Sequence, residues 1–296
     1  MKRLRGFDYH EPVSLAEATR ILVAAGDGAR VLAGGTDLVV DMKTGQMRPS
    51  TVVNLKRIPG LTGIEAVADG TRIGALTKVT AVETSSLVQD RHPGLAQAAS
   101  ILASPPVRAL ATIGGNVGRA SPASDLGPAL IVHQAIATIE GRDGGRDELV
   151  EELYVGPGAT SLSSSDIITS LFLPDPPPGF GSAHVKLGKR GSGTDIALAG
   201  ASASVVIGER GEIADCRIAL ASLGPTPFRA VATEEMLRAE MPTEAVLGAA
   251  AESAGGEAQP ISDMRASASY RVTLARVLTL RALRGAVRSA GAEVVA

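Results

Sequence analysis

The chain has 296 residues, with 29 Lys and Arg against 31 Asp and Glu and a formal net charge of −2. Phosphate-backbone binding needs clustered positive charge, so this balance argues against nucleic acid as the main partner. Apolar residues make up 45% and charged residues 20%, an ordinary globular composition whose length suggests two domains, or one domain in several lobes.

Cys216 is the single cysteine, which excludes an internal disulfide and a cysteine-held iron–sulfur cluster in this chain. The histidines, His10, His92, His133 and His184, have no metal-ligand spacing. Redox chemistry, if present, therefore falls to an organic cofactor. Aromatic residues are 2% with no Trp, so a ring cofactor would rest mainly on aliphatic side chains and backbone. Apolar runs such as Ala197 to Val206 fall far short of the ~20 residues that span a bilayer. The opening MKRLRGFDYHEP is basic with no apolar segment behind it, so a cytoplasmic location is expected.

In chain order, Ser14-Leu15-Ala16-Glu17 reads as a capping box, and Leu15, Ala18, Ile21, Leu22 and Ala25 follow at helical spacing up to Gly26. Ala29–Ala33 reads as a strand running into Gly34-Gly35, and Thr51–Leu55 as another. Ile64–Val67 and Arg72–Gly74 flank Asp69-Gly70, a hairpin signal. Helices are predicted at Thr80–Glu83 and around Pro93–Leu102, the second broken by Ser104-Pro105-Pro106. Ser121–Asp125 opens a helix to about His133. Pro174–Gly179 is the clearest boundary. Beyond it, strands at Ala197–Ile207 and Cys216–Ser222 are joined by a turn at Glu209–Glu212. A helix from about Ala266 to Ser289 follows, with Leu274, Val277, Leu278, Leu280 and Ala282 toward the core.

Two glycine pairs carry the chemistry: Leu32-Ala33-Gly34-Gly35-Thr36-Asp37-Leu38 and Ala111-Thr112-Ile113-Gly114-Gly115-Asn116. A glycine pair after a strand lets backbone amides converge on an anion, and Thr36 and Thr112 can add hydroxyls. Each pair alone reads more readily as a tight turn; together they favour a diphosphate cradle. Neither fits G-x-G-x-x-G or G-x-x-x-x-G-K-[ST]. Gly188-Lys189-Arg190-Gly191-Ser192-Gly193 has the wrong spacing for a phosphate loop and reads equally as a basic surface loop. Asp125, after Ser124 at a helix start, is on physics alone a macrodipole-favoured carboxylate; the other reading is an acceptor for ribose or adenine groups.

These blocks, VLAGGTDLVVDMK at Val31–Lys43, VVNLKRIPGL at Val52–Leu61, ATIGGNVGRASPASDLGPAL at Ala111–Leu130, VKLGKRGSGTDIALAGASASV at Val185–Val205 and ASASYRVTLARVLTLRAL at Ala266–Leu283, resemble the FAD-binding medium subunit of the xanthine dehydrogenase and carbon monoxide dehydrogenase family. The resemblance implies an α+β fold: a two-lobed FAD-binding domain of the vanillyl-alcohol-oxidase type, residues 1–176 with lobes of about 1–57 and 58–176, and a C-terminal α+β domain, residues 177–296, with a small antiparallel sheet and helices. It implies that Val31, Leu32, Ala33, Gly34, Gly35, Thr36, Asp37 and Leu38 wrap the FAD diphosphate, and that Thr112, Gly114, Gly115 and Asn116 form a second phosphate loop. Ser124 and Asp125 would bind the adenosine ribose side, and Lys186 the flavin pyrimidine end. Ile196 stands where many relatives carry an aromatic over the isoalloxazine.

With no His or Cys neighbouring the glycine loops, FAD is expected to be non-covalent. The implied function is an electron relay without an acid–base catalyst of its own. Electrons would pass from [2Fe-2S] clusters of a small subunit, fed by a large molybdenum-cofactor subunit, through FAD to an external acceptor, in a dimer of heterotrimers. Two other readings stay open: a self-sufficient flavin oxidoreductase of the same superfold, and a non-catalytic nucleotide-binding scaffold.

Overall fold

The structure, a computed structural model, describes residues 4–190 and 195–295. β1 (Asp8–His10), α1 (Leu15–Ala25), β2 (Ala29–Leu32), α2 (Leu38–Thr44) and β3 (Thr51–Asn54) form a parallel sheet in the order β1-β3-β2. The capping box closes α1: the Glu17 N–H donates to Ser14 Oγ at 3.2 Å, and the Val13 N–H donates to the Glu17 carboxylate at 2.9 Å. Ala18 and Leu22 are fully buried against Ala29, Val53 and Leu55.

β4 (Ile64–Val67) and β5 (Gly70–Gly74) are the expected hairpin, with the turn one residue earlier. Ala68 and Asp69 make it, Asp69 with φ +65°. Gly70 lies in the strand, where a Cβ would strike the Phe172 ring. Five short helices follow: α3 (Val79–Thr84), α4 (Ser86–Arg91), α5 (Pro93–Ile101), α6 (Pro105–Arg108) and α7 (Ile113–Arg119). The break after α5 occurs as expected, but Pro105 then starts α6 at its first position, where the missing N–H costs nothing. Next come α8 (Leu126–Val132), β6 (Ile136–Gly141), β7 (Gly144–Leu149), α9 (Val150–Leu153), β8 (Tyr154–Gly156), β9 (Ala159–Thr160) and β10 (Ile167–Pro174). They complete an antiparallel sheet β4-β5-β10-β6-β7 over one core that includes Leu95, Ile113, Leu130, Ile139 and Leu171.

After the proline-rich stretch, β11 (Phe180–Gly188), β12 (Ala197–Ile207), β13 (Ile213–Ala221) and β14 (Phe228–Arg229) form an antiparallel sheet in sequence order, covered by α10 (Val231–Leu237), α11 (Glu244–Glu257) and α12 (Ala268–Ser289). Small residues let α12 lie close: a Cβ at Gly181 would collide with the backbone of Ala286 and Ala290. Leu274, Leu278 and Ala282 are buried as expected, but Val277 is 38% exposed and Leu280 half-buried. The core stripe steps instead through Arg271, Leu274, Ala275, Leu278, Ala282 and Ala286, the three-and-four spacing that keeps one face inward.

Helices α5 and α8 pack on the β11–β12 face through a polar seam. The Gly94 N–H donates to Ser182 Oγ (2.9 Å), which also meets His133 Nε2 (3.2 Å). Ser204 Oγ donates to the Val132 carbonyl (3.0 Å), and the His184 N–H to Gln97 Oε1 (2.9 Å). The His92 ring stands edge-on to His133 at 5.1 Å. Among the described residues no helix is long and apolar enough to cross a membrane.

Candidate dinucleotide cleft

A cleft of about 450 Å³ opens where the β2–α2 loop, the loop before α7 and the start of α8 converge, within the ~300–1,000 Å³ usual for small-molecule sites. The predicted residues Val31, Ala33 to Leu38, Thr112, Gly114, Gly115, Asn116, Ser124, Asp125 and Ile196 all line it. Leu32 and Lys186 do not. Leu32 supports the turn from behind, its Cδ1 lying 3.0 Å from where a Gly35 Cβ would be.

The two glycine pairs do different things. At the first, a Cβ on Gly34 would collide with the Leu110 carbonyl, and Gly35 adopts φ +80°. Among the described residues, the backbone N–H groups of Gly34, Gly35, Thr36, Asp37 and Leu38 find no hydrogen-bond acceptor within the chain. A run of unpartnered N–H groups around a left-handed residue is an anion cradle. The second pair does not follow a strand; it forms the first turn of α7, and its amides are already engaged. The Ile113 N–H donates to the Thr77 carbonyl (3.0 Å), Gly114 to Ala75 (2.9 Å), and Gly115 to Thr112 Oγ1 (3.2 Å). Gly114 is needed for packing, since a Cβ there would lie 2.6 Å from that of Ala75. What this loop offers the cleft is side chains: the Thr112 hydroxyl, and the amide of Asn116, whose Oδ1 accepts from Ser124 Oγ at 2.6 Å. Ser124 Oγ in turn accepts the Gly127 N–H and caps α8 (2.9 Å).

Asp125 and Lys186 form a buried ion pair, Oδ2 to Nζ 2.6 Å. Burial pushes the Asp125 carboxyl up to about 6 even though the Lys186 charge pulls the other way. Its Oδ1 is buried without a partner. The two residues that the resemblance assigns to the adenosine and flavin ends of the dinucleotide are thus in direct contact. Ile196, 57% exposed, also lines the cleft, just past Asp195, which accepts hydrogen bonds from the Arg190 backbone and guanidinium. The stretch Gly188–Gly193 considered for phosphate binding lies partly outside the described residues; Gly188 ends β11.

Sequence reasoning missed Arg119, Asp41 and an apolar wall of Leu102, Val107, Leu162, Ile167 and Ile168. The apolar residues carry no mark distinguishing cleft from core. Arg119 followed the second glycine pair in view, but its partner Asp41 is 78 positions away (119 − 41). An anion cradle, polar side chains beside it, an apolar wall and an unpartnered buried carboxylate oxygen are the parts a flavin dinucleotide needs, and the residues present fit FAD. Among the described residues no His or Cys lines the cleft.

Comparison with known proteins gives the same result. Residues 5–176 match the family described as the FAD binding domain in molybdopterin dehydrogenase, and residues 183–286 the CO dehydrogenase flavoprotein C-terminal domain. The carbon monoxide dehydrogenase medium chain of Hydrogenophaga pseudoflava is 34% identical, over 95% of this chain and 96% of that one. The xanthine dehydrogenase FAD-binding subunit of Escherichia coli O157:H7 is 31% identical, over 97% and 98%. A solved structure of the Hydrogenophaga pseudoflava carbon monoxide dehydrogenase lacking the Mo-pyranopterin moiety superposes with a TM-score of 0.93 at 32% identity, covering 97% of this chain and 99% of that one. The chain belongs to the FAD-binding medium-subunit family of the molybdenum-containing dehydrogenases. It is a flavoprotein of α+β architecture, an FAD-binding domain followed by a C-terminal domain with a small antiparallel sheet.

Proposed function

We propose that this chain holds one FAD non-covalently in the cleft and serves as the electron-exit subunit of a cytoplasmic molybdenum hydroxylase complex, a dimer of heterotrimers with a large molybdenum-cofactor subunit and a small [2Fe-2S] subunit. In this reading residues 1–176 form the FAD-binding domain, in lobes of about 1–57 and 58–176, and residues 177–296 the C-terminal domain. FAD, when bound, supplies the conversion between one-electron exchange with clusters and transfer to an external acceptor. The chain's own residues bind, orient and exclude water.

The observation that carries the reading is the run of unpartnered N–H groups from Gly34 to Leu38 in the cleft wall, which neutralises a diphosphate without placing a lysine there. Thr112 and Asn116 add side-chain hydrogen bonds from the facing loop. Asp125 and Lys186 together serve the flavin end; the unpartnered Asp125 Oδ1 is suited to accept a hydrogen bond from a ring or ribityl donor. The matched relatives, a dehydrogenase medium chain and a dehydrogenase FAD-binding subunit, favour the relay over a self-sufficient oxidase. Purification of the native complex tests the proposal. Molybdenum, iron and FAD should elute together with two other chains, and the flavin band should bleach on anaerobic addition of the substrate that the complex hydroxylates. A lone chain that oxidises a substrate by itself would overturn it.

A further inference from the structure

Two of the carboxylates on the cleft wall stand at the anion cradle itself. Asp37 lies within the run of unpartnered N–H groups, and Asp41 follows one turn later on α2. Asp41 is 7% exposed, so water screens it poorly. A diphosphate placed on Gly34–Leu38 would meet both negative charges at short range. Arg119, the last residue of α7, reaches across from the facing loop. Its guanidinium lies 3.3 Å from an Asp41 carboxylate oxygen and 3.7 Å from one of Asp37, and it lines the same cleft. The Gly34 backbone lies against Leu110 and Ala111, just ahead of α7, with no room for a Cβ. The two loops are thus joined by a close backbone approach at one point and by the Arg119 ion pairs at another.

We propose that Arg119 is a positioning residue for the cofactor: it neutralises Asp37 and Asp41 and ties α2 to α7, so that the Gly34–Leu38 cradle can accept the diphosphate. The inference rests on the FAD reading above. Its signature is charge rescue. Arg119→Met leaves Asp41 and Asp37 uncompensated beside the diphosphate, whereas Arg119→Met with Asp41→Asn removes the larger part of that repulsion without restoring the cation.

The experiment measures the FAD dissociation constant of the full-length chain by quenching of flavin fluorescence, with thermal melts of the cofactor-free forms alongside. Wild-type chain that binds no FAD would defeat the functional reading itself. With wild type binding, Arg119→Met should weaken FAD by on the order of 10- to 100-fold, the effect of losing one partly buried counter-charge. The double variant should recover most of that loss, and Asp41→Asn alone should bind as wild type or tighter. Arg119→Met that binds within twofold of wild type overturns the inference. So does a double variant no better than the single one, which would make Arg119 a direct phosphate ligand or a packing residue. If Arg119→Met fails to fold, the charge-balanced double variant compared with Asp41→Asn decides the same question.

Discussion

Lys186 Nζ and Asp125 Oδ2 lie 2.6 Å apart with both side chains nearly inaccessible, joining β11 of the C-terminal sheet to the start of α8 at the cleft wall. A buried pair of this kind contributes little relative to an apolar replacement, but losing one partner strands the other charge. Lys186→Met is therefore expected to lower stability by about 3–5 kcal/mol, and Asp125→Asn with Lys186→Met by clearly less. Urea unfolding of the three variants checks this; equal losses for the single and double variants would show that the pair does not act as a unit.

The pH dependence has two opposed contributions. Asp125 is raised to about 6 from an unfolded value near 3.8, so the folded state binds the proton more tightly. Its contribution is present below about pH 4 and is lost as pH rises through 6. His92 and His184 are lowered by burial to about 4 and about 3, and burial holds His133 well below its usual range as well. Their contribution is present above about 6.5 and is lost as pH falls. Three histidines outweigh one carboxylate. Stability should decline below about pH 6.5. His92 alone accounts for about 3 kcal/mol of that decline by pH 4, since each tenfold loss of proton affinity on folding is worth about 1.4 kcal/mol.

The charges near this seam are Asp175 and Arg91 beside His92, and Lys186 beside His184. The seam joins α5 and α8 to β11 and β12, so acid should loosen the contact between the two halves first. Chemical denaturation from pH 8 to 4 reads the curve; His92→Gln should flatten it, and a stability that rises on acidification would contradict this origin.

Glycine substitutions separate cradle from packing. Gly34→Ala forces the loop off Leu110 and should cost FAD affinity at least ~10-fold, the equivalent of ~1.4 kcal/mol. Gly118, inside α7 with open space around it, should accept Ala with a gain of ~0.5–1 kcal/mol in cofactor-free stability. Fluorescence titration and thermal melts read the two effects. A Gly34→Ala variant with wild-type affinity would remove the cradle from the explanation.

What the sequence made legible follows the range of the interaction. Signals that act within a turn or a strand came through: the Ser14–Glu17 box, the apolar run that became β12, and the proline stretch before β11. The Gly34-Gly35 turn was readable because its requirements, a positive φ and a close backbone approach, are written as glycine. Gly114-Gly115 looked the same on paper, yet its N–H groups are consumed by Ala75 and Thr112, and that follows from where β5 ends in space. The Asp125–Lys186 pair spans 61 positions, so no spacing rule could show that two residues assigned to opposite ends of the cofactor touch. Val277 misled because one residue of drift on α12 turns a side chain by about 100°.

The central claim is that this cleft holds FAD without a covalent bond, and flavin analysis of the purified full-length chain tests it most directly. One FAD per chain is predicted, as isolated or after reconstitution, all of it released into the supernatant by acid precipitation, with the Gly34→Ala chain markedly depleted. A colourless chain that cannot be reconstituted, or flavin that stays with the precipitated protein, would contradict it.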